Sequence, residues 1–323
     1  MDFRYVGRSG LRVSTLGIGC NNFGGRLDEA SSRKVIDAAL DIGVNFFDTA
    51  DVYPITQSGL SEEIIGRALG ARRRNVILAT KFGLPMDRSA TPPNGSRSYV
   101  ISAVEASLKR LNTDFIDLFQ FHFPDPHTPV EETLRALDDV VRQGKVRYIG
   151  ISNMATWQVV DALHASDARG LERFIASQNQ YSLLVRDVEA ELMPALEHHG
   201  LGLLPFFPLA GGFLSGKYRR NMALPAGSRL TKSEQLAGMF LKDANYEIVE
   251  RLESFCESRG ITLLQLAFRW LLAHDVVPSV IAGASTPEQV RQNAEAVAGR
   301  LSDEDMAEIE KIAGNAPNRF WVH

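Results

Sequence analysis

The chain has 323 residues, a formal net charge of −4 and a sequence pI of about 6.0. With 45% hydrophobic and 23% charged residues, it has the composition of a globular protein. No basic stripe favours a nucleic-acid partner, and no apolar run reaches the length that a membrane span or signal segment requires. The cysteines, Cys20 and Cys256, are isolated in sequence. We therefore expect a cytoplasmic protein without a structural metal.

Short apolar runs alternate with amphipathic segments along the chain. Residues 3–13 place a glycine-containing turn between two apolar pieces and predict a β-hairpin. The runs that follow predict eight strands, at 13–19, 44–48, 76–80, 115–121, 146–151, 174–177, 201–206 and 277–281. Helical spacing of apolar residues predicts helices at 31–42, 61–69, 98–111, 129–143, 156–165, 188–199, 246–259, 263–273, 287–298 and 302–313. Two long stretches, 84–97 and 207–243, are predicted to be irregular.

Eight strands alternating with helices predict an α/β fold, a single (β/α)8 TIM barrel domain over residues 1–323. The barrel would carry an N-terminal β-hairpin and long loops at its C-terminal face. A doubly wound open sheet is the alternative, and it requires a glycine-rich phosphate turn between its first strand and a helix. Gly17, Gly19 and Gly24 lack the spacing of that turn. The sequence therefore favours the barrel.

Polar side chains follow the predicted strands, at the end where a barrel of this kind places its chemistry. Asp48 and Tyr53 follow the second strand, Lys81 the third and His122 the fourth. Each alone also suits a structural role, such as a rim lysine or a core histidine. Together they form an acid–base set, because an ammonium lowers the pKa of a neighbouring phenol and a carboxylate holds that ammonium in place. Such a set predicts protonation of an oxygen while another group supplies a hydride.

Over essentially its full length the chain resembles the aldo-keto reductase superfamily. The matching stretches occur at residues 10–14, 47–53, 79–83, 119–122, 145–153, 178–183, 208–212 and 283–289. The resemblance implies a (β/α)8 barrel that binds extended NADPH without a separate nucleotide domain. It also implies that Tyr53 is the general acid and that Lys81 lowers the Tyr53 pKa. Asp48 would pair with Lys81, and His122 would orient the substrate carbonyl.

The same resemblance implies a cofactor site. Ser152, Asn153 and Gln178 would bond the carboxamide. Phe206 stands where relatives place a tyrosine that stacks on the nicotinamide, and Phe207 replaces the serine that usually follows. The loop over the pyrophosphate would include Leu209, Gly211, Leu214, Gly216 and Lys217.

At the adenine end, Gly283 and Gln289 occupy positions where many relatives have a lysine and an arginine. Ser285, Gln289 and Asn293 would remain as polar contacts, and the helix that begins at Pro287 offers its N-terminus to an anion. Relatives with the Gly-Ala-Ser pattern of residues 283–285 often use NADPH. We therefore expect NADPH, with NADH as the alternative cofactor.

The resemblance implies reduction of a small aldehyde, ketone or sugar carbonyl, or the reverse oxidation. Two alternatives stay open: a cofactor-binding regulatory module like the potassium-channel β subunits of the superfamily, and an NAD-linked sugar or alcohol dehydrogenase. Several aromatic residues are candidates either for the substrate pocket wall or for ordinary rim packing. They are Phe23, Phe82, Phe123, Phe320 and Trp321.

Overall fold

The computed structural model describes residues 1–87 and 92–314. The predicted hairpin is confirmed: β1 (Phe3–Tyr5) and β2 (Arg12–Ser14) pair antiparallel. Eight further strands form one parallel sheet. They are β3 (Leu16–Gly19), β4 (Phe46–Asp48), β5 (Ile77–Phe82), β6 (Ile116–Phe121), β7 (Val146–Ser152), β8 (Phe174–Gln180), β9 (Gly202–Phe206) and β10 (Val280–Ala282).

The strand order in this sheet is β10-β3-β4-β5-β6-β7-β8-β9, so the last strand returns to the first. β9 and β10 approach each other where Leu203 N donates a hydrogen bond to Val276 O at 2.7 Å. The sheet is therefore a nearly closed parallel barrel. This architecture confirms the predicted fold class.

Helices surround the sheet. The first half of the chain contributes α1 (Glu29–Asp41), α2 (Leu60–Leu69), α3 (Arg97–Leu111), α4 (Val130–Arg142) and α5 (Thr156–Arg169). The second half contributes α6 (Leu192–His199), α7 (Arg229–Lys232), α8 (Glu234–Phe240), α9 (Asp243–Arg259), α10 (Leu263–Leu272), α11 (Pro287–Ala296) and α12 (Asp303–Ala313). Within the described ranges, no helix combines the length and the apolar character needed to cross a bilayer.

Some predicted boundaries were wrong. Val13 belongs to the hairpin, opposite Arg4, and the barrel strand begins at Leu16, because the chain turns where Ser14 Oγ donates to Leu16 O. Lys81 and Gln178 lie inside β5 and β8 rather than after them. The helix predicted at 188–199 is divided into a 3₁₀ turn, Asp187–Glu189, and α6. The stretch 207–243 is less irregular than predicted, since it contains α7 and α8.

Side chains of the strands alternate between the barrel interior and the helix layer. In β6, Phe119 and Phe121 face outward and stack on Phe82 of β5, at centroid distances of 4.5 and 5.1 Å. Gln120 lies between them in sequence and faces inward, where its amide reaches Asp48. The alternation thus separates an apolar outer core from a polar interior at this end of the barrel.

The N-terminal hairpin covers the end of the barrel at which the strands begin. Val6, Leu11 and Val13 pack in one buried cluster with Phe46, Ala79, Leu118, Ala176, Leu204 and Ile281 from the barrel. Arg8 N donates to Gly200 O at 2.7 Å just before β9. Gly7 approaches so closely that an added Cβ would lie 2.3 Å from Gly200 O. The hairpin therefore plugs this end, and the C-terminal end stays open.

Candidate functional site

An ion pair lies at the open end of the barrel. Lys81 Nζ is 2.6 Å from Asp48 Oδ2 and donates a second hydrogen bond to Thr49 O at 2.9 Å. The Lys81 side chain is only 1% exposed. Burial lowers the pKa of Lys81, but the neighbouring Asp48 and Tyr53 outweigh burial, so the pKa lies above its ordinary value. The ammonium therefore stays charged at neutral pH.

Two glutamines hold the other oxygen of the Asp48 carboxylate. Gln178 Nε2 donates to Asp48 Oδ1 at 2.9 Å, and Gln120 Nε2 donates to the same oxygen at 3.2 Å. All three side chains are buried. Hydrogen bonds to a charged acceptor are stronger than neutral ones. These bonds fix the carboxylate so that its other oxygen, Oδ2, faces Lys81.

Tyr53 lies over this pair, with Lys81 Nζ 5.2 Å from the centroid of its ring. Burial raises the pKa of Tyr53, and the Lys81 charge lowers it by a smaller amount. The net pKa of Tyr53 is therefore raised in the free protein, whereas the sequence predicted a lowered pKa. The expected effect of Lys81 is present, but the desolvation of the phenol exceeds it. The phenol is protonated at neutral pH.

His122 packs edge to face against Tyr53, at 5.8 Å between ring centroids. Burial, and then the charge of Lys81, lower the pKa of His122 well below its ordinary value. The imidazole is therefore neutral at pH 7. Its Nδ1 atom is buried and makes no hydrogen bond within the described part of the chain. The ring thus retains capacity to hydrogen-bond a ligand.

A second buried polar layer lies behind the turn that leads to Tyr53. Asp51 N donates to Lys81 O at 3.1 Å, and the Asp51 side chain is fully buried. The neighbouring Glu62 accepts hydrogen bonds from Thr80 Oγ1 and from Arg110 Nε, each at 2.6 Å. Burial, and then the Glu62 charge, raise the pKa of Asp51 well above its ordinary value. This layer fixes the main chain between Asp48 and Tyr53.

Ser152, Asn153 and Gln178 form a connected group beside the ion pair. Ser152 Oγ donates to Gln178 O at 2.8 Å, and Asn153 Nδ2 donates to Ser152 Oγ at 2.9 Å and to His122 O at 3.1 Å. Asn153 has a φ of 57°, which asparagine adopts more readily than most residues. The group therefore joins the ends of β7 and β8 to the loop after β6.

These side chains border one cleft of about 970 Å³ at the open end of the barrel. Asp48, Tyr53 and His122 line it, and Lys81 lies buried behind Asp48. The cleft extends to α11, where Thr286 caps the helix and Pro287 begins it. Most residues predicted to bind a cofactor line this one cleft: Ser152, Asn153, Gln178, Phe206, Leu209, Gly211, Lys217, Gly283, Ser285, Gln289 and Asn293.

Two residues predicted to cover the pyrophosphate do not line the cleft. Leu214 is fully buried in the core. Gly216 has a left-handed backbone, with a φ of 79°, and a Cβ added to it would lie 4.0 Å from Leu263 Cβ. The turns at Ala210–Ser215 direct Leu214 inward while Gly211 and Lys217 border the cleft.

The aromatic residues predicted as candidates for the pocket wall lie in different places. Phe123 lines the cleft. Phe23 and Phe82 instead are fully buried in the core, and Phe82 stacks on Phe119 and Phe121. Phe320 and Trp321 lie outside the described residues.

Sequence reasoning assigned no role to some residues that the fold brings to the site. Gln120 was detectable as a polar residue between two phenylalanines of a strand. Cys20 and Arg26 line the cleft from the loop after β3, and Arg229 lines it from the first residue of the four-residue helix α7, so none of them lies in a segment long enough to show periodic spacing. Burial, and then the Asp48 charge, raise the pKa of the Cys20 thiol well above its ordinary value, so this thiol is not a ready nucleophile.

The arrangement can protonate an oxygen. Tyr53 brings a neutral phenol to the cleft wall, and the buried Lys81 ammonium would stabilise the phenolate that remains after proton transfer. His122 adds a neutral hydrogen-bonding group on the adjacent wall. In the described residues no group of three or more histidine, cysteine, aspartate or glutamate side chains could hold a metal ion.

Known proteins are similar to this chain over nearly its full length. A model described as the Aldo/keto reductase family matches residues 15–314. The uncharacterized oxidoreductase YrpG of Bacillus subtilis is 38% identical over 332 residues, covering 99% of both chains. A probable voltage-gated potassium channel subunit beta of Arabidopsis thaliana is 36% identical over 332 residues, covering 99% of this chain and 98% of the relative. The L-glyceraldehyde 3-phosphate reductase of Escherichia coli K12 is 34% identical over 335 residues, covering 99% and 95%.

Proposed function

We propose a reaction for this chain from the premise that it belongs to the aldo/keto reductase family. The chain is an oxidoreductase of that family. The proposed reaction is NADPH-dependent reduction of a small aldehyde, ketone or sugar carbonyl to an alcohol, or its reverse. The observation that carries the proposal is the buried Asp48–Lys81 ion pair beside Tyr53, at the wall of the large cleft.

The residues around the cleft fit a nicotinamide dinucleotide. Ser152, Asn153 and Gln178 would bind the carboxamide, and Phe206 offers a partly exposed ring for stacking. Lys217 would bind the pyrophosphate. The α11 N-terminus with Ser285, Gln289 and Asn293 would bind the adenine end and its 2′-phosphate. Asp48 is the one carboxylate among the described lining residues, and Lys81 neutralises it, so the cleft does not repel an anionic cofactor.

When bound, the nicotinamide would supply a hydride from its C4 carbon. Tyr53 Oη would donate its proton to the carbonyl oxygen, because burial keeps the phenol protonated until that oxygen gains negative charge. Lys81, held charged by Asp48, would stabilise the resulting phenolate. His122 would orient the oxygen by a hydrogen bond from its neutral ring. Gln120 would hold Asp48 against Lys81.

The test compares the wild-type protein with Tyr53→Phe on a panel of aldehydes, ketones and sugars. We expect Tyr53→Phe to lose about 10²–10⁴-fold in kcat, the usual contribution of a general acid. Its NADPH Kd, measured by quenching of intrinsic fluorescence, should stay within about twofold of wild type. Turnover near the wild-type rate in Tyr53→Phe would remove this residue from the proposed role.

Cofactor choice is tested by the same titration with NADPH and NADH. We propose NADPH because the α11 N-terminus and its polar side chains remain in the cleft although the usual cations are absent. Tighter binding of NADPH supports this choice. Equal or tighter binding of NADH would favour an NAD-linked sugar or alcohol dehydrogenase.

The similarity to a channel β subunit favours one further candidate, a cofactor-binding regulatory module. The two candidates differ in turnover rather than in cofactor binding. Protein that binds NADPH tightly but reduces no carbonyl of the panel, and oxidises no matching alcohol, would favour the module. Turnover that depends on Tyr53 favours the reductase.

A further inference from the structure

The first turn of α2 holds the chain on both sides of the Asp48–Lys81 ion pair. Ser61 N donates a hydrogen bond to Tyr53 O at 3.0 Å. Ser61 Oγ lies 2.9 Å from Thr49 Oγ1, and Thr49 O accepts a hydrogen bond from Lys81 Nζ. One residue of α2 therefore contacts both the proposed general acid and the segment that accepts from the ammonium.

Glu62, the next residue of α2, extends these contacts to β5 and α3. Its Oε1 atom accepts a hydrogen bond from Thr80 Oγ1, and its Oε2 atom accepts one from Arg110 Nε, each at 2.6 Å. Thr80 directly precedes Lys81 in β5, and strand alternation directs the two side chains to opposite faces. Glu62 thus holds the outer face of β5 at the point where Lys81 lies on the inner face.

Stability alone does not account for this buried carboxylate. The Glu62 side chain is 0% exposed and that of Arg110 is 17% exposed. A buried ion pair contributes little net stability compared with apolar side chains of the same volume. Acidic residues also stabilise the N-terminal end of a helix, but Glu63 supplies that interaction from the same turn. The feature specific to Glu62 is a fixed connection between α2, β5 and α3.

We propose that Glu62 is a positioning residue, which acts through Thr80 to hold Lys81 in place. The proposal rests on the proposed reductase function and adds a residue that does not itself line the cleft among the described residues. Without the bond between Glu62 and Thr80, β5 would shift and Lys81 Nζ would leave its place 5.2 Å from the centroid of the Tyr53 ring. The reaction depends on that place, because the ammonium stabilises the phenolate.

The test changes Thr80 rather than Glu62. A glutamine at position 62 has a single carbonyl oxygen for two donors, so Glu62→Gln would leave one donor unpaired in the core. Thr80→Val has nearly the same shape and suits a strand, but it removes the donor to Glu62. Thr80→Ser keeps that donor. The two variants therefore isolate one hydrogen bond.

The proposal predicts a loss in kcat without a loss in binding. Thr80→Val should lower kcat by roughly 10- to 100-fold, since a displacement of about 1 Å at a reacting group costs on the order of 10²-fold. KM and the NADPH Kd should stay within about twofold of wild type. Thr80→Ser should restore most of the wild-type kcat, because serine keeps the hydroxyl donor. Wild-type kcat in Thr80→Val, or an equal loss in both variants, would overturn the proposal.

Glu63→Gln is the matched control. Glu63 follows Glu62 in the first turn of α2, but it forms an exposed ion pair with Arg67 at 3.3 Å. The substitution removes the same charge near the helix N-terminus and should keep kcat. A loss of kcat as large as that of Thr80→Val would assign the effect to α2 as a whole and contradict a specific role of Glu62.

A double-mutant comparison separates positioning from general destabilisation. In Lys81→Met no ammonium is left to position, so the addition of Thr80→Val should lower kcat by a further factor of less than about two. The kinetics of both variants and of their combination are measured at the same saturating substrate. An equal factor in both backgrounds would mean that Thr80 acts independently of Lys81, and this result also refutes the proposal.

A measurement without turnover keeps this inference distinct from the reductase function. Lys81 Nζ lies 5.2 Å from the centroid of Tyr53, so the ring affects the NMR shift of the Lys81 ε-methylene group, which is identified by its loss in Lys81→Met. If the protein reduces no carbonyl, the reductase function fails. A shift that moves in Thr80→Val, but not in Thr80→Ser or Glu63→Gln, still supports the positioning role. An unchanged shift in Thr80→Val refutes it.

Discussion

Gln178 Nε2 donates a hydrogen bond of 2.9 Å to Asp48 Oδ1, across 130 positions of sequence. The same nitrogen lies 3.4 Å from Gln120 Oε1, and the Gln120 amide donates to the same Asp48 oxygen. Gln178 also lines the cleft, whereas Gln120 does not. Gln178 therefore connects the ion pair to the proposed cofactor site, whereas Gln120 supports the ion pair alone.

This difference predicts different kinetics for two similar substitutions. Gln120→Met should lower kcat by roughly 10- to 100-fold, through loss of one bond of roughly 1.5–3 kcal/mol to the Asp48 carboxylate, and leave the NADPH Kd unchanged. Gln178→Met should lower kcat and also weaken NADPH binding, because it removes the proposed contact with the carboxamide. Steady-state kinetics and fluorescence titration of both variants check this. Equal effects on Kd would show that Gln178 has no special contact with the cofactor.

The pKa directions at the site predict a simple pH profile for reduction. Burial and Lys81 lower the pKa of His122 well below its ordinary value, so His122 should add no limb between pH 6 and pH 8. Reduction needs a protonated Tyr53, and its raised pKa places the loss of activity on the alkaline side, above its ordinary value of about 10. The measurement is kcat/KM against pH. A limb near pH 6.5 that disappears in His122→Gln would contradict the assignment.

Replacing Lys81 should change both the pKa of Tyr53 and the kcat of reduction. Lys81 lowers the pKa of Tyr53, so Lys81→Met should raise that pKa further and shift any alkaline limb upward. It should also lower kcat by at least about 10²-fold, because the phenolate formed on proton transfer loses its counter-charge. The residual activity of this variant is followed across the same pH range. Near-wild-type turnover would exclude the proposed role of the Asp48–Lys81 pair.

The buried Asp51 predicts a pH dependence of stability. Its folded-state pKa is raised by burial and by Glu62, so the unfolded chain loses this proton at lower pH than the folded protein. The unfolded state then binds fewer protons, and stability falls as the pH rises from about 4 towards the folded-state pKa. Asp51→Asn is always neutral and should become more stable, relative to wild type, between pH 4 and pH 7. Urea unfolding at several pH values measures this difference.

Asp161→Asn is the control for that series, because Asp161 is exposed on α5. The difference in unfolding free energy between this variant and wild type should not change over the same pH range. If the difference for Asp51→Asn is also independent of pH, the folded protein does not hold Asp51 in its neutral form.

The two phenylalanines that the sequence grouped together should respond differently to truncation. Phe82→Ala removes a fully buried ring from the stack with Phe119 and Phe121 and should cost about 3–5 kcal/mol of unfolding free energy. Phe123→Ala removes a partly exposed ring at the cleft and should change KM more than stability. Denaturation and kinetics of both variants check this. A large KM effect in Phe82→Ala, with stability unchanged, would place that ring at the substrate.

The fold was largely predictable because each barrel strand is an apolar run between turn residues, followed by a helix with clear spacing. The positions of Asp48, Lys81 and His122 were predictable for the same reason, as polar residues near strand ends. The environment of Phe82 was misjudged although Lys81 precedes it: with Lys81 inside the barrel, alternation directs Phe82 outward.

Other features depend on contacts that no local pattern records. The raised pKa of Tyr53 reflects how completely the fold buries the phenol, and spacing in sequence does not report burial. Arg26 and Arg229 border the same cleft only because the loop after β3 and the first residue of α7 both reach it. Neither segment shows a hydrophobic periodicity that would indicate which way its side chains face.

The N-terminal hairpin has a consequence for the order in which ligands bind and are released. Since β1 and β2 cover one end of the barrel, substrates and products reach the cleft from the opposite end of the described barrel. If the proposed dinucleotide binds deep in the cleft, between Gln178 and α11, the carbonyl compound should bind after it and the alcohol should leave before it. Product-inhibition patterns should then be those of an ordered mechanism, in which the oxidised dinucleotide is released last.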